Sequence, residues 1–230
     1  MKFVEGLHIK RETITSGLLR VGGGPKIVVP ERIDNRSGFL PSSNQGNTPQ
    51  CAAYAIAGWL EYWRWKLYGI YEQITPLYLY NLAKQVDGRQ DEPGTTLDAI
   101  VKAAQMAGYL RADAKVAVVE NWKDVRRVLH EHEVMLAGLE VDDGWYKARP
   151  DGWVPAGTEK LGGHAVCLCG YDSVASPSFD GQNSWSDEDD EWGWHGFFRI
   201  TPKLFERQYV YGVAIDATAV VNTETEGEAA

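Results

Sequence analysis

Disulfide bridging is what these 230 residues are least equipped for: the chain has three cysteines, Cys51, Cys167 and Cys169. The number is odd and the spacing is not that of a disulfide framework, so a reducing, cytoplasmic location is expected. No apolar run approaches the length of a membrane span, and the opening stretch MKFVEGLHIKRETITSGLLR lacks the apolar core of a secretory signal. Positive charge is scarce as well. Lys and Arg total 23 against 32 Asp and Glu, a net charge of −9, which excludes a general nucleic-acid or anionic-membrane binder.

Apolar residues, by contrast, make up 44% of the chain, enough for a sizeable core. Nine tryptophans and eleven tyrosines favour aromatic packing and an aromatic-lined cleft. There is no internal repeat.

Residues 1–30 read as an N-terminal arm, in which VGGGPKIVVP (21–30) is a glycine turn followed by a short strand. Residues 31–112 read as a helical lobe. Thr48 can cap a first helix with Pro49 at its first position, and Ala52, Ile56, Trp59, Leu60, Trp63 and Leu67 follow the three-and-four spacing of one buried face. Thr75-Pro76 opens a second helix ended by Asp87-Gly88, and a third runs from about Thr96 to Gly108. After an Asn121-capped helix, residues 113–218 turn to strands: EVMLAGLEV, HAVCLCGYD, GFFRI and YVYGVAID. The acidic tail 219–230 reads as disordered. Helices followed by strands predict an α+β protein of two lobes with a cleft between them.

Three groups along this chain can carry chemistry. Cys51 falls in the first turn of a helix, where the positive end of the macrodipole and free amides favour a thiolate, although a thiol packed among alanines fits the pattern equally well. His164 opens an apolar strand after two glycines, the place of a reactive base or of a satisfied core histidine. Asn183, followed by Ser184 and Trp185, can accept an imidazole N–H or simply make a turn.

Taken in order, these strings resemble the papain-like cysteine proteases, in a non-secreted, disulfide-free, bacterial- or phage-type form. NQG (44–46), six residues before the cysteine, resembles the glutamine of the oxyanion hole; GHAVCLCGYD resembles the histidine strand. NSW with WGWHGFFRI resembles the asparagine segment, and IDNRSG (33–38) and EPGTTLDAI (92–100) are further echoes. The resemblance covers about residues 31–217. It implies a helical left lobe, a β-barrel-like right lobe and a cleft carrying a cysteine endopeptidase site, with no cofactor and no metal. Cys51 would be the nucleophile, His164 its base and Asn183 the orienter. The Gln45 side chain and the Cys51 N–H would form the oxyanion hole, and a thiolate–imidazolium pair would exist before substrate arrives.

The resemblance also implies binding residues for a protein or peptide substrate. Gly94 would pair with an extended backbone, flanked by the Gly163 carbonyl, while Ala165 would leave room for apolar side chains and Trp185 would shield the His164–Asn183 bond. Asp216 would let the pocket for the second residue before the scissile bond take Arg or Lys. The run SDEDDE (186–191) would favour basic residues on the leaving-group side. The chain departs from the family in the stretch NTPQCAA, where Ala52 follows the nucleophile and no bracing cysteines stand nearby. Control is expected from the arm, an inhibitor protein, localisation or nothing at all, with residues 1–24 touching the lobes or the cleft. A catalytically inactive binding module, and a thiol hydrolase of cell-wall or isopeptide bonds, are the alternative readings. HEHE (130–133) reads as solvated surface, since a zinc site needs three or four converging ligands. Cys167 and Cys169 share one strand face as apolar filler.

Overall fold

Helix α1, Cys51–Tyr68, is the element around which the rest is arranged. The computed structural model describes residues 5–8, 18–20, 27–186 and 192–222. Through Arg64 almost every α1 side chain is buried, not the one stripe that the spacing predicts, and only the last turn, with Leu67, reaches solvent. The cause is packing on both sides, against α2 (Pro76–Asp87) and α3 (Leu97–Met106) and against the sheet. Alanines at 52, 53, 55 and 57 permit that close approach. At Gly58 a methyl carbon would lie 2.6 Å from the Gln182 Oε1, so a larger residue would have to push that amide aside. Gly69 and Gly88 end α1 and α2 in the left-handed conformation.

The helix start differs from expectation. Gln50 is the N-cap, and the Thr48 hydroxyl instead donates to the Gln45 carbonyl at 2.6 Å. Thr75 and Thr96 are N-caps as predicted, the latter accepting from the Ala99 N–H.

Among the described residues one sheet has eight strands. They are β1 (Leu18–Arg20), β2 (Arg32–Asp34), β3 (Val116–Val119), β4 (Met135–Asp142), β5 (Lys160–Asp172), β6 (Ser178–Gln182), β7 (Phe197–Ile200) and β8 (Tyr209–Ile215). The order is β1-β3-β8-β4-β5-β6-β7, with β2 against β5. Pairing is antiparallel except between β1 and β3. Residues 27–30 are not a strand; pairing begins at Arg32, opposite Asp172, because Pro30 closes the preceding run. Helix α4 (Val125–His132), preceded by a 3-10 turn that Asn121 caps, and helix α5 (Pro202–Gln208) pack on the sheet.

Strand alternation sorts the core into two clusters. Ala165, Cys167 and Cys169 of β5 and Leu136 of β4 join the cluster containing α1, α2 and α3. Val166, Leu168, Met135, Ala137 and Leu139 join the cluster containing α4, α5 and several tryptophans. All three cysteines are free and buried. His130 and Glu131 are exposed, as surface should be, but Glu133 is not simply solvated: it accepts from the Tyr62 hydroxyl at 2.5 Å and from Lys66, while its carbonyl accepts from Asn35. It ties α1 to the foot of β4. Among the described residues no helix is long and apolar enough to cross a membrane.

Candidate active site

The NTPQ stretch enters α1 through a loop that lacks disulfides and is held by hydrogen bonds. The Gln45 N–H donates to the Ser184 carbonyl at 2.8 Å, and the Ser184 hydroxyl donates to Gln45 Oε1 at 2.6 Å. Gln45 Nε2 donates to the Thr48 carbonyl at 2.7 Å. One of its two amide hydrogens is thereby used. These bonds also join the segment before Cys51 to the segment after Asn183, so chain regions 139 residues apart meet at one site.

Cys51 is fully buried, with Sγ accepting from the Ala165 N–H at 3.3 Å. His164 Nε2 lies 2.7 Å from Asn183 Oδ1. The amide oxygen is an acceptor only, so Nε2 carries the hydrogen and Nδ1 is left as the basic nitrogen. The Asn183 backbone is fixed in turn: its N–H donates to the Gly196 carbonyl, and its carbonyl accepts from Ser42 Oγ. Trp185 lies with its ring 4.9 Å from the imidazole, and Trp145 approaches edge-on at 5.8 Å. Trp145 is a residue that sequence reading missed. Its ring stacks on Trp192 and donates to Gln208, contacts between distant segments that leave no local signal.

The arm lies across these residues. Leu7 N–H donates to the Gly163 carbonyl at 3.2 Å, and Gly6 N–H reaches the same oxygen at 3.4 Å. On the other side the His8 N–H donates to the Thr95 carbonyl at 2.9 Å, and the Thr95 N–H donates to the Gly6 carbonyl at 3.1 Å, a parallel bridge centred on Leu7. Glu5 reaches the Gly163 N–H with its carboxylate at 3.3 Å. A methyl carbon at Gly6 would lie 2.7 Å from Cys51 Sγ. Leu7 is 1% exposed and packs where Gly138 leaves space, beside Tyr211. Burying that side chain contributes about 1.5–3 kcal/mol to holding the arm.

Two expectations meet a closed arrangement. The arm pairs its backbone with Thr95 and not with Gly94, the residue expected to pair with substrate. The Gly94 N–H is used by the Tyr80 hydroxyl and its carbonyl by Lys84, while Gly94 itself, at φ +84°, lets Gly6 pass close by. The ionisation expected at the thiol also differs. Burial pushes the Cys51 thiol up to about 12, against the lowering by the Ala165 and Ala52 amides. Burial pulls the His164 imidazole down to about 4, partly offset by its bond to Asn183. Desolvation disfavours both charged forms, so beneath the arm the pair is neutral.

Asp216 stands just past β8 and caps a 3-10 turn, Ala217–Ala219, accepting from the Thr218 N–H and hydroxyl at 2.9 and 2.8 Å. Residues 187–191 of the acidic run, residues 21–26 of the arm and residues 223–230 of the tail lie outside the described residues.

No family model matches the sequence, and no curated protein is significantly similar to it. Solved structures do match in fold. Xylellain, a cysteine protease from Xylella fastidiosa, superposes with a TM-score of 0.74 at 15% identity, over 95% of this chain and 96% of that one. Procathepsin B S9 from Trypanosoma congolense gives 0.67 at 15%, over 92% and 85%. Procathepsin L 3 from the larval midgut of Tenebrio molitor gives 0.65 at 12%, over 90% and 76%. The chain therefore has the papain-like fold.

Proposed function

We propose that the chain is a papain-like cysteine endopeptidase held in a closed form by its own N-terminal segment. One observation carries this reading: an extended backbone, Glu5–His8, is bound between Thr95 and Gly163 with its glycine against Cys51 Sγ. A cleft that grips a peptide backbone on both sides and sets it on a thiol has the geometry that acyl transfer needs.

With the arm displaced, His164 Nδ1 takes the proton of Cys51 while Asn183 holds the imidazole in the required tautomer. The thiolate attacks a carbonyl whose oxygen is received by the Cys51 N–H and the second hydrogen of Gln45 Nε2. His164 then protonates the leaving amine, and water releases the thioacyl group. Trp185 covers the His164–Asn183 bond, and Gly163 and Thr95 hold the substrate chain. The arm itself escapes attack because its Gly6 carbonyl is held by the Thr95 N–H and not by the oxyanion donors.

Leu7 occupies the apolar place beside Gly138 and Tyr211, which favours a leucine-like side chain next to the scissile residue. Asp216 bonds Thr218 through Oδ1 alone, and Arg or Lys at that position is the second arm of the library. The test is a peptide library in which that position is varied, with Gly6→Val to displace the arm. Cleavage that is led by Leu and abolished by Cys51→Ser and His164→Ala supports the reading. A Cys51 that is alkylated but cleaves nothing makes the chain a binding module.

A further inference from the structure

Helix α2 carries a buried ion pair that none of the catalytic steps uses. Lys84 Nζ lies 3.3 Å from Asp87 Oδ2, with both residues less than a tenth exposed. Replacing such a pair by apolar groups of similar shape commonly costs a fold nothing, so its retention calls for a directional reason.

That direction is visible in what else the pair bonds. Lys84 Nζ donates to the Gly94 carbonyl at 2.8 Å, and the Thr95 hydroxyl donates to Asp87 Oδ2 at 2.8 Å. Asp87 Oδ1 accepts from the Arg89 N–H at 2.9 Å, and the Tyr80 hydroxyl, also on α2, accepts from the Gly94 N–H at 3.1 Å. Residues 89–94 form no helix or strand, and Thr96 is already the N-cap of α3. Four bonds therefore converge on a stretch with no regular structure of its own. They use both backbone groups of Gly94 and the side chain of Thr95. The Thr95 N–H and C=O are left for the chain in the cleft, where they meet Gly6 and His8.

We propose that Lys84 and Asp87 are positioning residues that hold the one-residue edge at Thr95 in register with whatever backbone occupies the cleft, the arm in the closed form and substrate in the open one. The substrate half of this rests on the peptidase reading; the arm half does not. The pair does in hydrogen bonds what a disulfide would do covalently, in a chain whose three thiols are all free and lie elsewhere.

The test uses the full chain and two variants: Lys84→Met with Asp87→Leu, which replaces the pair by apolar groups, and Thr95→Val, which removes only the hydroxyl. Backbone amide exchange is followed at His8 and Thr95 and in β4 and β5, together with alkylation of Cys51 by iodoacetamide at pH 8. Exchange at His8 and Thr95 is expected to rise about ten-fold in the double variant and less in Thr95→Val, with β4 and β5 unchanged and Cys51 alkylation faster. A uniform rise across the sheet, or unchanged protection of His8 and Thr95, overturns the proposal. If the double variant does not fold, Thr95→Val alone decides by the same criterion. With the arm displaced by Gly6→Val, the double variant is also expected to raise KM for peptides extending two residues before the cut, with kcat nearly kept. Selective exchange without any peptide cleavage in the Gly6→Val background would sink the peptidase reading and leave the positioning role standing. Cleavage with unchanged exchange would sink the positioning role alone.

Discussion

Gly6 has no side chain, and the closed form depends on that. The arm's backbone sits against Cys51 Sγ at a distance where a methyl carbon would come to 2.7 Å, closer than real contacts allow. Gly6→Val should therefore lift the arm without touching the residues of the site. Its expected result is faster alkylation of Cys51, read by mass shift over time, with little change in melting temperature. Gln45 gives a second residue-level prediction. Gln45→Ala removes one oxyanion donor and is expected to lower kcat by roughly 10²–10³ while leaving Cys51 open to alkylation in the Gly6→Val background. At this scale the sequence was legible where a residue sits in a short string: Gln45, Cys51, His164 and Asn183 were each singled out so, and the structure brings them together. It was uninformative about Thr95 against Gly94, because which of two neighbours pairs is decided by Lys84 and Tyr80, side chains ten and fourteen residues away. Trp145 was invisible for the same reason, since its meeting with His164 exists only in the folded chain.

Among the elements, α1 and β5 do most to place the site. Helix α1 presents Cys51 at its first position, and β5 brings Gly163, His164 and Ala165 to it, the last through its N–H on Sγ. The Thr-Pro start and the glycine stop of α2 are local chemistry and were legible; the glycine stop of α1 went unread, and the shift of its cap from Thr48 to Gln50 was not legible. The Thr48 hydroxyl turns to the Gln45 carbonyl instead, so the loop is braced at the expense of a cap. Strands β3 and β6 and helix α5 also escaped reading. Each is short, and the burial of β3 and β6 comes from neighbours in the sheet more than from any pattern of their own. Leu7 is the arm's anchoring side chain on these elements. Leu7→Asp places a charge in an apolar site and should release the arm, with Cys51 alkylation at least as fast as in Gly6→Val.

For the molecule as a whole, closure is linked to protons. The buried His164 titrates at about 4 against an ordinary 6.5, so between those values the open form binds more protons. Closure is then fully favoured above 6.5 and weakens as the pH falls towards 4. Cys51 acts in the opposite sense: its thiol is held at about 12 against 9.0, so closure weakens as the pH rises above 9. Exchange of the His8 amide, corrected for its intrinsic pH dependence, should accordingly show greatest protection between about 6.5 and 9 and lose it on the acid side. In His164→Ala the acid limb should vanish while the alkaline limb stays.

On the proposed reading a competent Cys51–His164 pair lies shut beneath the arm. The most direct test is the rate of Cys51 alkylation by iodoacetamide at pH 6, measured in the parent, in Gly6→Val, and in Gly6→Val with His164→Ala. A slow parent, a Gly6→Val chain faster than a free thiol at that pH, and a return to the free-thiol rate on loss of His164 is the expected result. Equal rates in parent and Gly6→Val, or a fast rate that survives His164→Ala, would contradict it.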